Sequence, residues 1–154
     1  MAVTKKQKRR EMMTEENMVS VHRMWDGEIL SKGRTELIND VFAPDYVSHD
    51  PTRPDLNGPE GAKGLVTMLR AAFPDLYFTV QDRFVSGDKI VVRWTGYGSH
   101  KGELIGIDPT DKRVEFQGTS IHRFAGGKIA ESWENIDYLG LLQQLGVVPQ
   151  LGQG

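Results

Sequence analysis

The sequence of 154 residues contains no cysteine, and this absence excludes several kinds of structure and chemistry. Disulfide bonds, zinc sites with thiolate ligands and cysteine nucleophiles all need a side chain that the sequence lacks. The sequence also has no apolar run near the roughly 20 residues that a membrane-spanning helix needs. We therefore expect a cytoplasmic protein that has no membrane partner and folds by packing alone.

Three further absences narrow the chemistry. The sequence contains no Gly-x-x-x-x-Gly-Lys-Ser/Thr loop for binding phosphates and no Gly-x-Ser-x-Gly motif for a serine nucleophile. No two of its histidines have the close spacing that is typical of zinc-binding helices. The four histidines are His22, His49, His100 and His122. We therefore expect no metal site.

Positive charge is concentrated at the N-terminus, where Lys5, Lys6, Lys8, Arg9 and Arg10 lie close together. Without those five residues the formal net charge of −2 becomes −7. An acidic body argues against nucleic acid as a partner. We predict a disordered basic tail over residues 1–13, one domain over 14–148 and a short tail over 149–154.

The first half of the sequence has the apolar spacing of helices. Residues 14–31, 34–42 and 59–73 each place apolar side chains on one face. Residues 46–50 resemble a short strand, and residues 51–58 are predicted to form a polar loop. Three helices are thus expected around one short strand.

The second half alternates with a period of two, which is typical of strands. Strands are predicted over 76–86, 89–97, 113–124 and 128–136, and a last helix over 138–145. Short connections between strands imply antiparallel pairing. The pattern predicts an α+β domain in which three helices and a short C-terminal helix pack on a curved antiparallel sheet. Such a sheet would form a cone with an internal pocket.

Several short motifs occur together and in a fixed order, and in this they resemble the SnoaL-like polyketide cyclase family. The resemblance covers roughly residues 15–148. The motifs are the run from Phe42 to Pro51, Gly58-Pro59-Glu60-Gly61, Phe73-Pro74-Asp75-Leu76, the run from Gly98 to Gly106 with Pro109-Thr110, Gly127-Lys128-Ile129, Trp133-Glu134-Asn135, Asp137 and Gln144-Leu145-Gly146.

The resemblance implies a nuclear-transport-factor-2-like cone and a cofactor-free intramolecular aldol ring closure of a polyketide ester. In characterised members one acidic residue on the last strand is the general acid/base, and the matching position is Glu134. Two histidines flank that acid in those members. This sequence has Ser120 and Ser132 at the two matching positions.

Strand alternation places Ser132 and Glu134 on one face and Trp133 on the other; either face could line a pocket, and the family resemblance selects the face of Glu134. In an apolar cavity the charged form of Glu134 would be penalised and its pKa would rise, which suits proton removal next to a carbonyl at neutral pH. A solvated strand glutamate is the alternative. Trp133 on the outer face predicts a homodimer contact.

Two further residues are candidate catalytic groups. The Asp50-Pro51 pair resembles the general-base position of ketosteroid isomerases. The alternative is that Asp50 is a plain turn residue. His122 has the same strand parity as Ser120 and is placed to donate a hydrogen bond to the substrate or to Glu134; a buried structural histidine is the alternative. The predicted substrate-binding residues are Trp25, Tyr46, His49, Trp94, His100, Ser120 and Ser132.

Three functions remain open at this point. The first is a cyclase-type enzyme that acts on a small apolar carbonyl compound with Glu134 as acid/base. The second is a cone that holds a hydrophobic ligand without changing it, which the serines at the two histidine positions favour. The third is an isomerase that uses Asp50. Epoxide hydrolysis ranks behind these, because it needs an arginine between two carboxylates and Arg93 lies on the face opposite Trp94.

Overall fold

The computed structural model describes residues 13–152. Apart from Met13, the predicted basic tail lies outside the described residues, as do residues 153 and 154. The described chain forms one six-stranded, curved and unclosed sheet with helices packed against it. The predicted α+β cone is therefore confirmed. None of the described helices combines the length and apolar character needed to cross a membrane.

The helices begin and end close to the predicted positions. The first begins after Thr14, whose hydroxyl oxygen accepts a hydrogen bond from the backbone amide of Asn17 (3.2 Å), and this satisfies one of the free amides of the first turn. The helices are α1 (Glu15–Arg23), a π-helical continuation (Met24–Leu30), a 3₁₀ turn (Thr35–Leu37) that leads into α2 (Ile38–Val41), α3 (Gly58–Ala72) and α4 (Tyr138–Gln144).

The six strands lie in the order β2-β1-β6-β5-β4-β3. Their bounds are β1 (Phe42–Asp50), β2 (Arg53–Asn57), β3 (Tyr77–Ser86), β4 (Lys89–Ser99), β5 (Arg113–Ala125) and β6 (Lys128–Ile136). All neighbouring pairs are antiparallel except β1 and β6, which are parallel and place Ser48 opposite Ser132. This one parallel pair brings the end of β1 beside the middle of β6.

The prediction of a polar loop over residues 51–58 is wrong. Residues Arg53–Asn57 form strand β2, which pairs with β1 so that Arg53 lies opposite Asp50. An edge strand with solvent beside it shows little apolar alternation and tolerates Pro54, which cannot donate a ladder hydrogen bond. Strand β1 also begins earlier than predicted, because Phe42 pairs with Ile129 on β6.

The core consists of two groups of buried side chains on the inner face of the sheet. One lies under α1 and its π-helical continuation and includes Ile29, Phe42 and Ile90. The other surrounds Phe73 and includes Phe116. Trp94 packs against both groups and so connects them.

Candidate active site

A carboxylate lies on the inner face of the sheet between two strands. Glu134 on β6 is directly opposite Ser120 on β5, and the Ser120 hydroxyl donates a short hydrogen bond to Glu134 Oε2. Ser120 Oγ in turn accepts a hydrogen bond from Trp94 Nε1 (2.8 Å). The indole of Trp94 lies against Gly118, where any Cβ atom would overlap it. The glycine therefore makes room for the ring that orients Ser120.

The surroundings of Glu134 bring its pKa close to neutral pH. Burial raises the pKa to about 7, the hydrogen bond from Ser120 and the charge of Arg53 lower it, and the negative charge of Asp50 raises it. Glu134 keeps some solvent-accessible surface, although protein surrounds its carboxylate. A carboxyl group with this pKa exchanges a proton readily at neutral pH.

The Asp50 carboxylate differs from that of Glu134 in its hydrogen bonds and in the direction of its pKa shift. Its oxygens accept hydrogen bonds from the Thr52 amide (2.9 Å), the Thr52 hydroxyl (2.7 Å) and the Tyr138 hydroxyl (2.9 Å). Burial would raise its pKa, but these bonds and the charge of Arg53 outweigh burial and leave the pKa below its usual value. Asp50 therefore stays ionised at neutral pH and is a weak base.

Arg53, which the sequence did not single out, lies beside Asp50, and its charge also acts to lower the pKa of Glu134. Its Nη2 donates to Ser48 Oγ (3.0 Å), and its Nε is 3.8 Å from Asp50 Oδ2. Sequence reasoning missed it because residues 51–58 were predicted to be a loop. It missed Tyr138 because that residue begins a short surface helix. The spacing of three between Asp50 and Arg53 across a tight turn was the signal available for the arginine.

A chain of buried polar groups continues from Ser48 across the interior. Burial, followed by the charge of Glu134, raises the pKa of Tyr46 to about 12, although the hydroxyls of Ser132 and Ser48 act to lower it. Ser132 Oγ lies 2.7 Å from His122 Nδ1. Burial lowers the pKa of His122 to about 4. At neutral pH the tyrosine is thus a neutral hydroxyl and the histidine a neutral imidazole.

The structure does not bring His49 to this cluster. Neighbouring residues of a strand face opposite ways, so His49 lies on the outer face while Ser48 and Asp50 face inward. His49 Nε2 is 2.8 Å from Glu131 and its Nδ1 is 3.0 Å from Asp55. These two partners, with the bond to Glu131 the larger effect, raise the pKa of His49.

Two other predicted binding residues lie apart from Glu134. His100 is completely buried at the far end of the sheet, with Nδ1 3.0 Å from Thr110 Oγ1 and its ring 5.6 Å from Phe73. Trp25 packs edge-on against Phe42, with ring centres 4.8 Å apart. Hydrogen bonds, strand register and charge effects therefore connect Glu134, Ser120, Ser132, His122, Tyr46, Trp94 and Asp50, while His49 and His100 have other partners and Trp25 reaches Tyr46 only through Phe42.

Two depressions are evident on the described surface, and Glu134 lines neither of them. One, of about 100 Å³, lies between α1 and the β5–β6 turn and is lined by Met18, Phe124 and neighbouring residues. The other lies along the exposed side of α1. An internal pocket at Glu134 therefore stays a prediction. Within residues 13–152 no group of three histidine, aspartate or glutamate side chains is arranged to hold a metal ion.

The comparisons with known proteins identify the family and agree with the fold. The family model for SnoaL-like polyketide cyclases matches residues 19–145. Nogalonic acid methyl ester cyclase from Streptomyces nogalater is 32% identical over 118 residues, which cover 74% of this chain and 87% of that protein. Aklanonic acid methyl ester cyclase DauD from Streptomyces sp. (strain C5) is 31% identical over 127 residues, covering 77% and 76% of the two chains.

A solved structure, that of TsrD from Streptomyces laurentii, superposes with a TM-score of 0.81 at 25% identity, covering 88% of this chain and 99% of that one. The curved sheet and the packed helices define the nuclear-transport-factor-2-like class of cone-shaped domains. Within that class, the chain belongs to the SnoaL-like polyketide cyclase family.

Proposed function

We propose that this protein closes a ring in a polyketide methyl ester by a cofactor-free intramolecular aldol reaction, with Glu134 as the general acid/base. One observation carries the proposal: an interior carboxyl group whose pKa is about 7, held by a serine hydroxyl. The matched relatives are named as methyl ester cyclases, which supports an ester of this kind as the substrate class.

The reaction needs one proton to be removed and one returned. Ionised Glu134 takes a proton from the carbon next to a carbonyl, and the electron pair moves onto the carbonyl oxygen. The resulting enolate carbon attacks a second carbonyl carbon of the same molecule and forms the ring bond. The new alkoxide then takes the proton back from Glu134, so the carboxylate is regenerated. A group with a pKa near the working pH suits both halves of this cycle.

The neighbouring residues have supporting roles in the proposal. Ser120 orients the Glu134 carboxylate and is itself held by Trp94. Tyr46 offers a neutral hydroxyl to a substrate oxygen, because its pKa is too high for it to ionise. His122 stays neutral and holds Ser132 in place. At the two positions where the resemblance implies histidines, Ser120 thus bonds to Glu134 and Ser132 bonds to His122.

The test is turnover of nogalonic and aklanonic acid methyl esters by purified protein. Glu134→Gln keeps the size and hydrogen-bonding atoms of the side chain but removes the titrating proton. General acid/base groups contribute about 10²–10⁴-fold in rate, so turnover should fall at least a hundredfold. Glu131→Gln is the matched control, because Glu131 is on the same strand and bonds outward to His49. Full activity of Glu134→Gln would refute the proposal.

Two alternatives give different results in the same assay. If the protein only holds a ligand, which the serines at the histidine positions favour, the esters bind and neither wild type nor variant converts them. If Asp50 were the base, Asp50→Asn would abolish turnover while Glu134→Gln would not. The three hydrogen bonds on Asp50 and its lowered pKa argue against that isomerase-like reaction.

We also propose that the protein is a cytoplasmic homodimer that meets its partner through the outer face of the sheet. Trp133 is partly exposed on that face beside His49, with ring centres 5.7 Å apart. Light scattering at micromolar concentration should give twice the mass of the chain, and Trp133→Glu should give the single mass. A single mass for the wild type would refute the dimer.

A further inference from the structure

Arg53 carries a feature that its hydrogen bonds within the protein do not explain. Its Nε is buried and has no hydrogen-bond acceptor among the described residues. The other nitrogens are engaged: Nη2 donates to Ser48 Oγ (3.0 Å), and Nη1 donates to the backbone oxygens of Pro54 (3.2 Å) and Ser48 (3.5 Å). Buried polar groups without partners are uncommon, because leaving one unsatisfied costs stability.

The guanidinium is held rigidly, which leaves Nε in a fixed position. Arg53 pairs with Asp50 across the β1–β2 turn, and its side chain is only 20% exposed. Asp50 is itself fixed by Thr52 and Tyr138. The nearest acidic oxygen to Nε, Asp50 Oδ2, is 3.8 Å away and already accepts the Tyr138 hydroxyl. At that distance Nε keeps a hydrogen that it can give to another acceptor.

Arg53 is also the positive charge that acts on the whole candidate site. Its charge is one of the influences that act to lower the pKa of Glu134, Asp50, Tyr46 and Tyr138, and its Nε is 3.8 Å from Asp50 Oδ2. A fixed cationic donor beside a general base is the arrangement that stabilises negative charge developing on a substrate oxygen.

We propose that Arg53 Nε binds the substrate oxygen that becomes the enolate when Glu134 removes the neighbouring proton. This inference rests on the proposed function of Glu134 and extends it by assigning the oxyanion donor. The substrate oxygen would supply the acceptor that Nε lacks, and the hydrogen bond would strengthen as the oxygen gains charge. The electron pair of the broken C–H bond resides on that oxygen until the ring bond forms. The ligand class that fits is a planar enolate or phenolate.

A set of naphthols tests Arg53 without the true substrate. These are substituted 2-naphthols of differing acidity, and 2-methoxynaphthalene is the probe that cannot ionise. Fluorescence reports whether a bound naphthol is protonated. Wild-type protein should bind naphthols as naphtholates, with tighter binding than 2-methoxynaphthalene. Arg53→Gln should weaken naphtholate binding at least about tenfold, since it removes a charge-assisted hydrogen bond, and should leave the methyl ether unchanged. Arg53→Lys keeps the charge but not the planar group, and should fall between the two.

Arg93→Gln is the matched control. Arg93 lies on the outer face, 2.6 Å from Asp82, and its side chain is 57% exposed. The Arg93→Gln variant should bind all the naphthols and 2-methoxynaphthalene with the affinities of wild type. A second measurement bears directly on the atom: the Nε–H resonance of Arg53 in ¹⁵N-labelled protein, assigned by its loss in Arg53→Lys, should move downfield when naphtholate binds.

Several results would overturn the assignment. They are binding of naphthol only in its neutral form, equal affinity of wild type for naphthol and its methyl ether, and unchanged naphtholate binding by Arg53→Gln. The proposed function fails in a different way, through full ester turnover by Glu134→Gln. Even if Glu134 is not the base, the naphthol experiment still tests Arg53. Glu134→Gln should still bind naphtholate more tightly than 2-methoxynaphthalene, because that difference depends on Arg53.

Discussion

Acid should destabilise this protein through His122. Its ring is 2% exposed, and burial lowers its pKa from 6.5 to about 4. Between those two values the unfolded chain binds a proton at this histidine and the folded chain does not. The contribution of His122 to the free energy of unfolding therefore falls as the pH falls through this range, whereas Glu134, whose pKa is raised to about 7, contributes in the opposite direction.

The size of the effect follows from the two pKa values. Each unit of difference corresponds to about 1.4 kcal/mol, and between pH 8 and pH 5 the linkage relation gives a loss of about 2 kcal/mol from His122 alone. His22 adds to the loss, because burial, the charge of His122 and the charge of Arg83 all lower its pKa. Asp50 contributes only at lower pH, since its pKa is below 3.8.

Urea unfolding at pH 8, 6.5 and 5 measures this loss. In His122→Gln, which cannot titrate, the free energy of unfolding at pH 5, taken relative to pH 8, should be higher than in wild type by about 2 kcal/mol, because Glu134 titrates in both proteins. His49→Gln is the control of opposite sign, because Glu131 and Asp55 raise the pKa of His49. The stabilisation from His49 is present at acid pH and is lost as the pH rises. His49→Gln should therefore not raise the free energy of unfolding at pH 5 relative to pH 8. Parallel decreases in wild type and His122→Gln would refute the reasoning.

Substitutions of one serine and two glycines give further predictions. In Ser120→Ala the pKa of Glu134 should rise above about 7, because the hydrogen bond from Ser120 that lowers this pKa is lost. The rising limb of the pH–rate profile should therefore move to higher pH. A limb at the same pH as in wild type would contradict the role of Ser120. Gly118→Ala should lower the free energy of unfolding by about 1–3 kcal/mol in urea, because its Cβ overlaps the Trp94 indole. Gly64→Ala, whose Cβ meets nothing within 4 Å, should be neutral or stabilising, and equal stability of the two alanine variants would contradict the packing argument.

The features that the sequence predicts well depend on local patterns. Period-two alternation gives the bounds of β3 to β6 to within a few residues. The capping hydroxyl of Thr14 marks the start of α1. These features need only neighbouring residues along the chain, so a single sequence is sufficient for them.

The features that the sequence does not predict depend on contacts between distant segments. The parallel pairing of β1 with β6 determines that Ser48 and Asp50 face inward and that His49 faces outward. Alternation shows that adjacent residues such as His49 and Asp50 face opposite ways, but it does not show which one faces inward. Arg53 was missed for the same reason, because an exposed edge strand has the composition of a loop and only its pairing with β1 identifies it.

The pKa of Glu134 is the measurement that tests the central claim most directly. The carboxyl ¹³C resonance of Glu134 should be followed by NMR as a function of pH in protein with labelled glutamate, and assigned by its absence in Glu134→Gln. We expect a midpoint of about 7, because burial outweighs the hydrogen bond from Ser120 and the charge of Arg53. A midpoint at or below the ordinary 4.5 would mean that the carboxylate is solvated or fully paired, and would contradict its assignment as the acid/base.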